Sequence, residues 1–383
     1  LKNLWNNEEA KNYTSDLALR VYTSNLLGQS DELVLHGGGN TSVKTKVDDE
    51  DILYVKGSGW DLVSIKEEGF APVKLDVLLN MATLSKLSDS DMVSGQKAAM
   101  IDKSAPNPSV EAILHALIPY KFVDHTHADA VVTISNSKTG IENIKKVFPN
   151  FLIIPYVMPG FILAQTIYNM TRDFNWNKCE GIILHNHGIF TFDNDAKTSY
   201  NKMIDAVTKA EKFLDENAKI TLNDIKSKEF DCSIFDSKFI NINKTSLAQY
   251  YSSQLNLKEF ATRGILTPEH IIRTKREPII IDTNTDINEA MNEYTHNYKD
   301  YFNKFSTNEI CLEPKPKYAV IENFGIVSFG NSQKEADIIN DIIEHTMLAV
   351  LRADKLGGYQ SISLQDSFDM EYWELEQAKL KKA

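Results

Sequence analysis

Between residues 9 and 28 (EAKNYTSDLALRVYTSNLLG) apolar positions recur at helical spacing and stop at Gly28, which predicts a helix with a glycine stop. A short apolar run and three glycines follow in LVLHGGGNTSVKTK (33–46), then a strand over Ile52–Val55 that empties into Lys56, Gly57, Ser58 and Gly59. Residues 73–85 read as helical. A further helix is expected to open at Asn107-Pro108, with Asn107 as N-cap and Pro108 in its first position, and to give way to a turn at Ile118-Pro119. The next stretch, FVDHTHA, is strand-like, and DAVVTISN is expected to continue the strand. Two more helices are predicted over 138–150 and 162–176. Between them FLIIPYVMPGF (151–161) reads as an apolar strand broken by Pro155 and Pro159.

GIILHNHGIF (181–190) reads as one strand, and residues 191–220 as a turn followed by a long amphipathic helix. Residues 221–260 are polar and weakly patterned, which places a domain boundary there and divides the chain into 1–225 and 226–383. In the last third, 317–330 predicts two short strands around a turn, and EADIINDIIEHTMLAVLRADKLGG a long amphipathic helix ending at Gly357-Gly358. The basic cluster Arg263, Arg273, Lys275 and Arg276 reads as ordinary charged surface.

The chemistry concentrates in PSVEAILHALIPYKFVDHTHAD (108–129). Alternation along a strand has period two, so His125 and His127 are expected on one side with their imidazoles converging on one ion. A third imidazole is available from His185 or His187, just before Gly188. Three neutral imidazoles with an open fourth position are the ligand set that makes zinc a Lewis acid. Glu111, near the start of the preceding helix, is then a candidate general base for a proton on the carbon next to a carbonyl. His115, four residues on and on the same helical face, is either a partner of Glu111 or core.

Two glycine-and-hydroxyl loops precede this region. Gly37, Gly38 and Gly39 allow a tight turn and close backbone approach, while Asn40, Thr41 and Ser42 can donate to an anion. In the second loop Lys56 adds charge and Ser58 a hydroxyl. Neither has the G-x-G-x-x-G spacing or G-K-[ST] ending of a nucleotide loop, so a phosphate held by neutral donors near a metal fits both better.

Composition narrows the choice of partner. The 383 residues carry a formal net charge of -12, with 42% hydrophobic and 25% charged residues, which argues against broad nucleic-acid or anionic-membrane binding. Three cysteines, far apart and in no C-x-x-C arrangement, suggest neither a disulfide framework nor a thiolate metal site. No apolar run reaches spanning length, and LKNLWNNEEA lacks the parts of a signal peptide, so a cytoplasmic location is expected.

Taken together, HGGGNTSVK, VKGSGWDL, PSVEAILHALIP, FVDHTHADA and ILHNHGIFTF resemble the class II aldolase/adducin family. The likeness is to the aldolase portion of bifunctional rhamnulose-1-phosphate aldolase/short-chain dehydrogenase proteins, and it extends through YVMPGF and TRGILTPEHIIRTKR to FDMEYWELEQAKL. The resemblance implies an α/β fold: a three-layer α/β/α domain around a mainly antiparallel sheet, plus a smaller C-terminal α/β region. It implies Zn2+ on His125, His127 and His187, with Glu111 as the proton-transfer residue. It assigns the substrate phosphate to Gly39, Asn40, Ser42, Ser58, Gly59 and Ser109. Val110 departs from the family pattern, in which simpler members have a second serine before the glutamate.

The implied reaction is reversible aldol cleavage of a 2-ketose 1-phosphate, L-rhamnulose 1-phosphate, into dihydroxyacetone phosphate and L-lactaldehyde. The partners are a phosphorylated ketose and an aldehyde, with no nucleic acid and no membrane, in a homo-oligomer such as a ring tetramer. A sugar-phosphate 4-epimerase and a non-catalytic metal-binding protein stay open as alternatives. The fused dehydrogenase domain has no counterpart expected in these residues, and hydride transfer is not expected of them.

Overall fold

The computed structural model describes residues 1–235, 237–282 and 284–380. They form two compact units: one of Leu1–Val132 with Ile141–Phe213, the other of Thr133–Gly140 with Leu214 onward. The first contains a seven-stranded sheet, β1 (Asn40–Val47), β2 (Glu50–Lys56), β3 (Phe70–Lys74), β4 (Phe122–Thr126), β5 (Phe151–Ile154), β6 (Gly181–Leu184) and β7 (Gly188–Asp193). Its spatial order is β3-β2-β1-β4-β7-β6-β5, and every pair is antiparallel except β5 with β6.

Period-two alternation sorts each strand between two helical layers. On one face Leu53, Val55, Ala71 and Val73 pack with Leu78 and Ala82 of the Leu75–Ala82 helix and with Ala112, Ile113 and Ala116 of the Ala112–Leu117 helix. On the other, Val43, Phe122 and Tyr54 meet Leu17 and Leu19 of the Asp16–Gly28 helix and Ala196 of the Ala196–Asn217 helix. This is the α/β/α arrangement with a mainly antiparallel sheet that the resemblance implies.

A buried ion pair ties the second layer to the centre of the sheet. Arg20 of the Asp16–Gly28 helix and Asp124 of β4 are both fully buried and hydrogen-bonded to each other. Ser199 donates its hydroxyl to the second carboxylate oxygen. Further bonds help to offset the burial of the pair: the two terminal guanidinium nitrogens also reach Ser42 O, Val123 O and the Thr23 hydroxyl, while Nε has no partner. The neighbour of Asp124, His125, therefore points to the opposite face, toward the Ala112–Leu117 helix.

The second unit is an α/β region in its own right. Its sheet, β8 (Phe239–Asn243), β9 (Ile279–Ile281), β10 (Tyr318–Ile321) and β11 (Gly325–Gly330), runs in the order β8-β11-β10-β9. The predicted strand pair in 317–330 is the β10–β11 hairpin, and the long C-terminal helix spans Gln333–Lys355. Residues 221–260, read as weakly patterned, in fact contain β8 and the Ser246–Ser252 helix. The FININ strand escaped notice because two asparagines interrupt its apolar run.

Several local expectations are corrected. Asn107 and Pro108 do not open a helix: Ser58 N–H donates to Asn107 O at 2.8 Å and Ser109 N–H to Lys56 O at 3.0 Å, so this segment pairs with the end of β2. The helix begins only at Ala112. DAVVTIS does not continue β4 but forms the Asp129–Ser135 helix. GIILHNHGIF is not one strand; His185, Asn186 and His187 are the connection between β6 and β7, with Asn186 at φ 59°. Residues 70–74 are strand, so the predicted helix at 73 starts at Leu75. Lys275 is buried rather than part of a charged surface, its Nζ 3.2 Å from Glu371 Oε1 and 3.9 Å from the centre of the Tyr298 ring.

Candidate metal centre

β4 delivers His125 to the centre of the sheet, His127 lies one residue beyond the strand end, and His187 closes the β6–β7 connection. Their ligand atoms all lie within 4.8 Å of one another, a group able to hold a metal ion. His185 lies outside the group, its Nδ1 against Asn186 Oδ1.

The orientation of His125 is determined by its surroundings. Its Nδ1–H donates to Ile189 O at 3.1 Å, which turns Nε2 toward the other two imidazoles. The ring stacks on Phe190, centroids 4.1 Å apart and planes 13° apart, as the β4–β7 register pairs these two residues. A carbonyl partner on the far nitrogen is the usual device for presenting one tautomer to a metal. Burial, then the nearby His127 and His187, hold the His125 imidazole well below its ordinary range, so it is neutral at physiological pH.

The donor set fits a divalent cation. Nε2 of His125 and Nε2 of His127 are 3.0 Å apart, close enough for both lone pairs to share one cation when neither nitrogen carries a proton. A tripod of neutral imidazoles suits zinc and other borderline divalent ions.

Glu111 sits immediately before the Ala112–Leu117 helix and is 6% exposed. Its Oε2 is 3.4 Å from His125 Nε2, and its Oε1 is 3.9 Å from His187 Nε2. Oε2 also accepts the side-chain amide of Asn40 at 2.6 Å. The carboxylate thus lies beside the histidine tripod.

The first of the two loops reaches the carboxylate through Asn40. Gly39 has φ +65°, and a Cβ there would lie 2.7 Å from His125 O. Asn40 begins β1 and also donates to Ser109 Oγ at 3.2 Å. The same Ser109 oxygen accepts the Glu111 N–H at 3.3 Å. Ser58 and Gly59 are exposed, and the space around Gly59 is open. Ser42 lies deeper, fully buried, its hydroxyl on His115 Nδ1 at 2.8 Å.

Lys56 is buried beside these loops and donates to Gly37 O at 3.2 Å. Burial pulls its ammonium down to about 8, while Asp61 and Glu111 oppose that fall. Two features carry no signal in the sequence: the Phe190 platform, which follows from register, and the Asn40 contact to Glu111, which joins residues 71 positions apart. The histidine spacing and glycine loops could be read because they are local.

Residues 19–214, just over half of the chain, match the family model described as Class II Aldolase and Adducin N-terminal domain, and 221–380 match Aldolase class II, second domain. The solved N-terminal class II aldolase domain of a conserved protein from Thermoplasma acidophilum is 40% identical, with TM-score 0.52, covering 56% of this chain and 99% of that one. A Bacillus subtilis (strain 168) protein, named Uncharacterized oxidoreductase YuxG, is 28% identical across the whole of this chain. The chain spans 61% of that relative's length. The histidine cluster and the fold support metal-dependent chemistry of the aldol type, and the chain belongs to the class II aldolase/adducin family.

Proposed function

We propose that this chain catalyses the reversible, zinc-dependent cleavage of L-rhamnulose 1-phosphate into dihydroxyacetone phosphate and L-lactaldehyde. The observation that carries the reading is the Glu111 carboxylate, 3.4 and 3.9 Å from the Nε2 atoms of two members of the histidine tripod. Bound by His125, His127 and His187, Zn2+ supplies the Lewis acidity that makes a carbon next to a ketone acidic enough to lose its proton.

In synthesis Glu111 takes that proton from the carbon of dihydroxyacetone phosphate, and in cleavage its acid form returns it. Gly39, Asn40, Ser58, Gly59 and Ser109 form the cradle for the phosphate, with Ser42 beneath it and the Lys56 ammonium beside it. Holding the phosphate fixes the reacting carbon against Glu111. The low exposure of Glu111 keeps water from competing for the proton.

The reading takes the chain as the aldolase portion of the bifunctional rhamnulose-1-phosphate aldolase/short-chain dehydrogenase type, and the greater length of the Bacillus subtilis relative is consistent with it. It includes a zinc domain over 1–225, a smaller C-terminal region over 226–383 and a homo-oligomer, a tetramer by family resemblance. Sedimentation measures the last. The reaction is tested by offering zinc-loaded protein L-rhamnulose 1-phosphate, L-fuculose 1-phosphate and L-ribulose 5-phosphate without NAD. Dihydroxyacetone phosphate and lactaldehyde from the first, lost on chelation, are the expected result. Isomerised sugar without free aldehyde makes the protein a 4-epimerase, and full metal occupancy with no turnover makes it a binding protein.

A further inference from the structure

His115 is fully buried on the Ala112–Leu117 helix, four residues after Glu111. Its two ring nitrogens are both engaged, Nδ1 with Ser42 Oγ at 2.8 Å and Nε2 with Asn40 Oδ1. Asn40 is thus gripped at both ends of its amide, with His115 at the oxygen and Glu111 Oε2 at the nitrogen, 2.6 Å away.

The direction of every bond in this chain follows from its last member. The Asn40 NH2 group donates to Glu111 Oε2 at 2.6 Å, so the atom facing His115 is the amide carbonyl oxygen, which only accepts. Nε2 of His115 must therefore carry the proton. Nδ1 is then an acceptor, and the Ser42 hydroxyl donates to it. Burial, with Lys44 and Arg20 nearby, holds this imidazole well below its usual range, consistent with one proton on the ring. Edge-on contact with Phe190, centroids 5.4 Å apart, adds a packing constraint.

We infer that His115 is a positioning residue for Glu111, acting through Asn40. Its N–H selects the amide orientation in which Asn40 donates to the carboxylate. With the amide turned over, a carbonyl oxygen would face Glu111 and push it away from the place between His125 and His187. Ser42 belongs to the same device, because its hydroxyl selects the tautomer. The inference rests on the role proposed for Glu111 as the proton-transfer group, but the orientation of Asn40 can be read without any substrate.

The experiment compares His115→Leu, His115→Gln and Ser42→Ala with wild type as zinc-loaded proteins of equal metal content and unchanged thermal unfolding. Two readouts are taken: exchange of the dihydroxyacetone phosphate C–H in D2O, and the side-chain amide resonances of Asn40 in asparagine-15N-labelled protein, assigned by their loss in Asn40→Asp. His115→Leu should lower kcat for exchange by about 10- to 100-fold with KM nearly unchanged. It should also move the Asn40 amide signals away from their carboxylate-bonded position. His115→Gln, whose amide can still donate to Asn40, should recover most of both.

Ser42→Ala should fall between them, and it carries the test if His115→Leu does not fold. Wild-type kcat in His115→Leu, a change confined to KM, unmoved Asn40 signals, or failure of His115→Gln to rescue would each overturn the inference. If wild type itself exchanges nothing, the functional reading fails, and the Asn40 signals alone decide the positioning role.

Discussion

Gly188 is pressed against His125: a Cβ at position 188 would lie 2.9 Å from Cε1 of the imidazole and 2.5 Å from Thr126 O. It would also come within 3.2 Å of His127 Cδ2. Glycine at this point in the hairpin lets two histidines and their strand approach the third. Gly188→Ala therefore should displace the tripod while leaving all three ligand residues in the sequence. The expected result is metal affinity lower by about 10- to 100-fold, measured by competition with a chromogenic chelator.

Stability of the metal-free protein should depend on pH through its buried imidazoles. His115 is held below its usual range chiefly by burial, so between its folded value and the unfolded 6.5 the unfolded chain binds more protons. Its contribution is fully present above about pH 6.5 and is lost as pH falls below it. Urea midpoints from pH 8 to 5 should decline on the acid side, and His115→Gln should flatten the slope by up to about 1.4 kcal/mol per pH unit. A slope identical to wild type would contradict this.

Breaking the Arg20–Asp124 pair should be costly, since both groups are fully buried. Arg20→Met strands a carboxylate under β4 and is expected to destabilise the protein by about 3–5 kcal/mol. Adding Asp124→Leu should recover part of that loss, because an apolar pair leaves no unpaired charge. Chemical denaturation of the two variants checks both statements. The effect on metal binding should follow the strand, because His125 is the next residue.

Much of the site was legible because its residues lie close together in sequence. His125 and His127 are separated by one residue, and Ser109 and Glu111 by one. What could not be read is what tertiary pairing decided. Pro108 looks like a helix start, yet Gly57 and Pro108 form a β-bridge and displace the helix to Ala112. Val131, Val132, Thr133 and Ile134 favour a strand locally, but the Asp129–Ser135 segment is helical, with Val131, Val132 and Ile134 buried in the fold. The hairpin at His185–His187 was hidden because its turn depends on Asn186 in a left-handed conformation, not on a glycine. Lys275 read as surface because its buried partner Glu371 lies 96 residues away.

No helix among the described residues is long and apolar enough to cross a membrane.

The central claim is that Glu111 moves a proton on a carbon beside a polarised ketone. It is tested most directly by proton NMR of dihydroxyacetone phosphate in D2O with zinc-loaded protein and no aldehyde. Wild type should wash out one C–H signal. Glu111→Gln, retaining its metal, should slow the exchange by about 10²- to 10⁴-fold. Loss of the signal at the same rate in Glu111→Gln, or none in fully loaded wild type, would contradict the account.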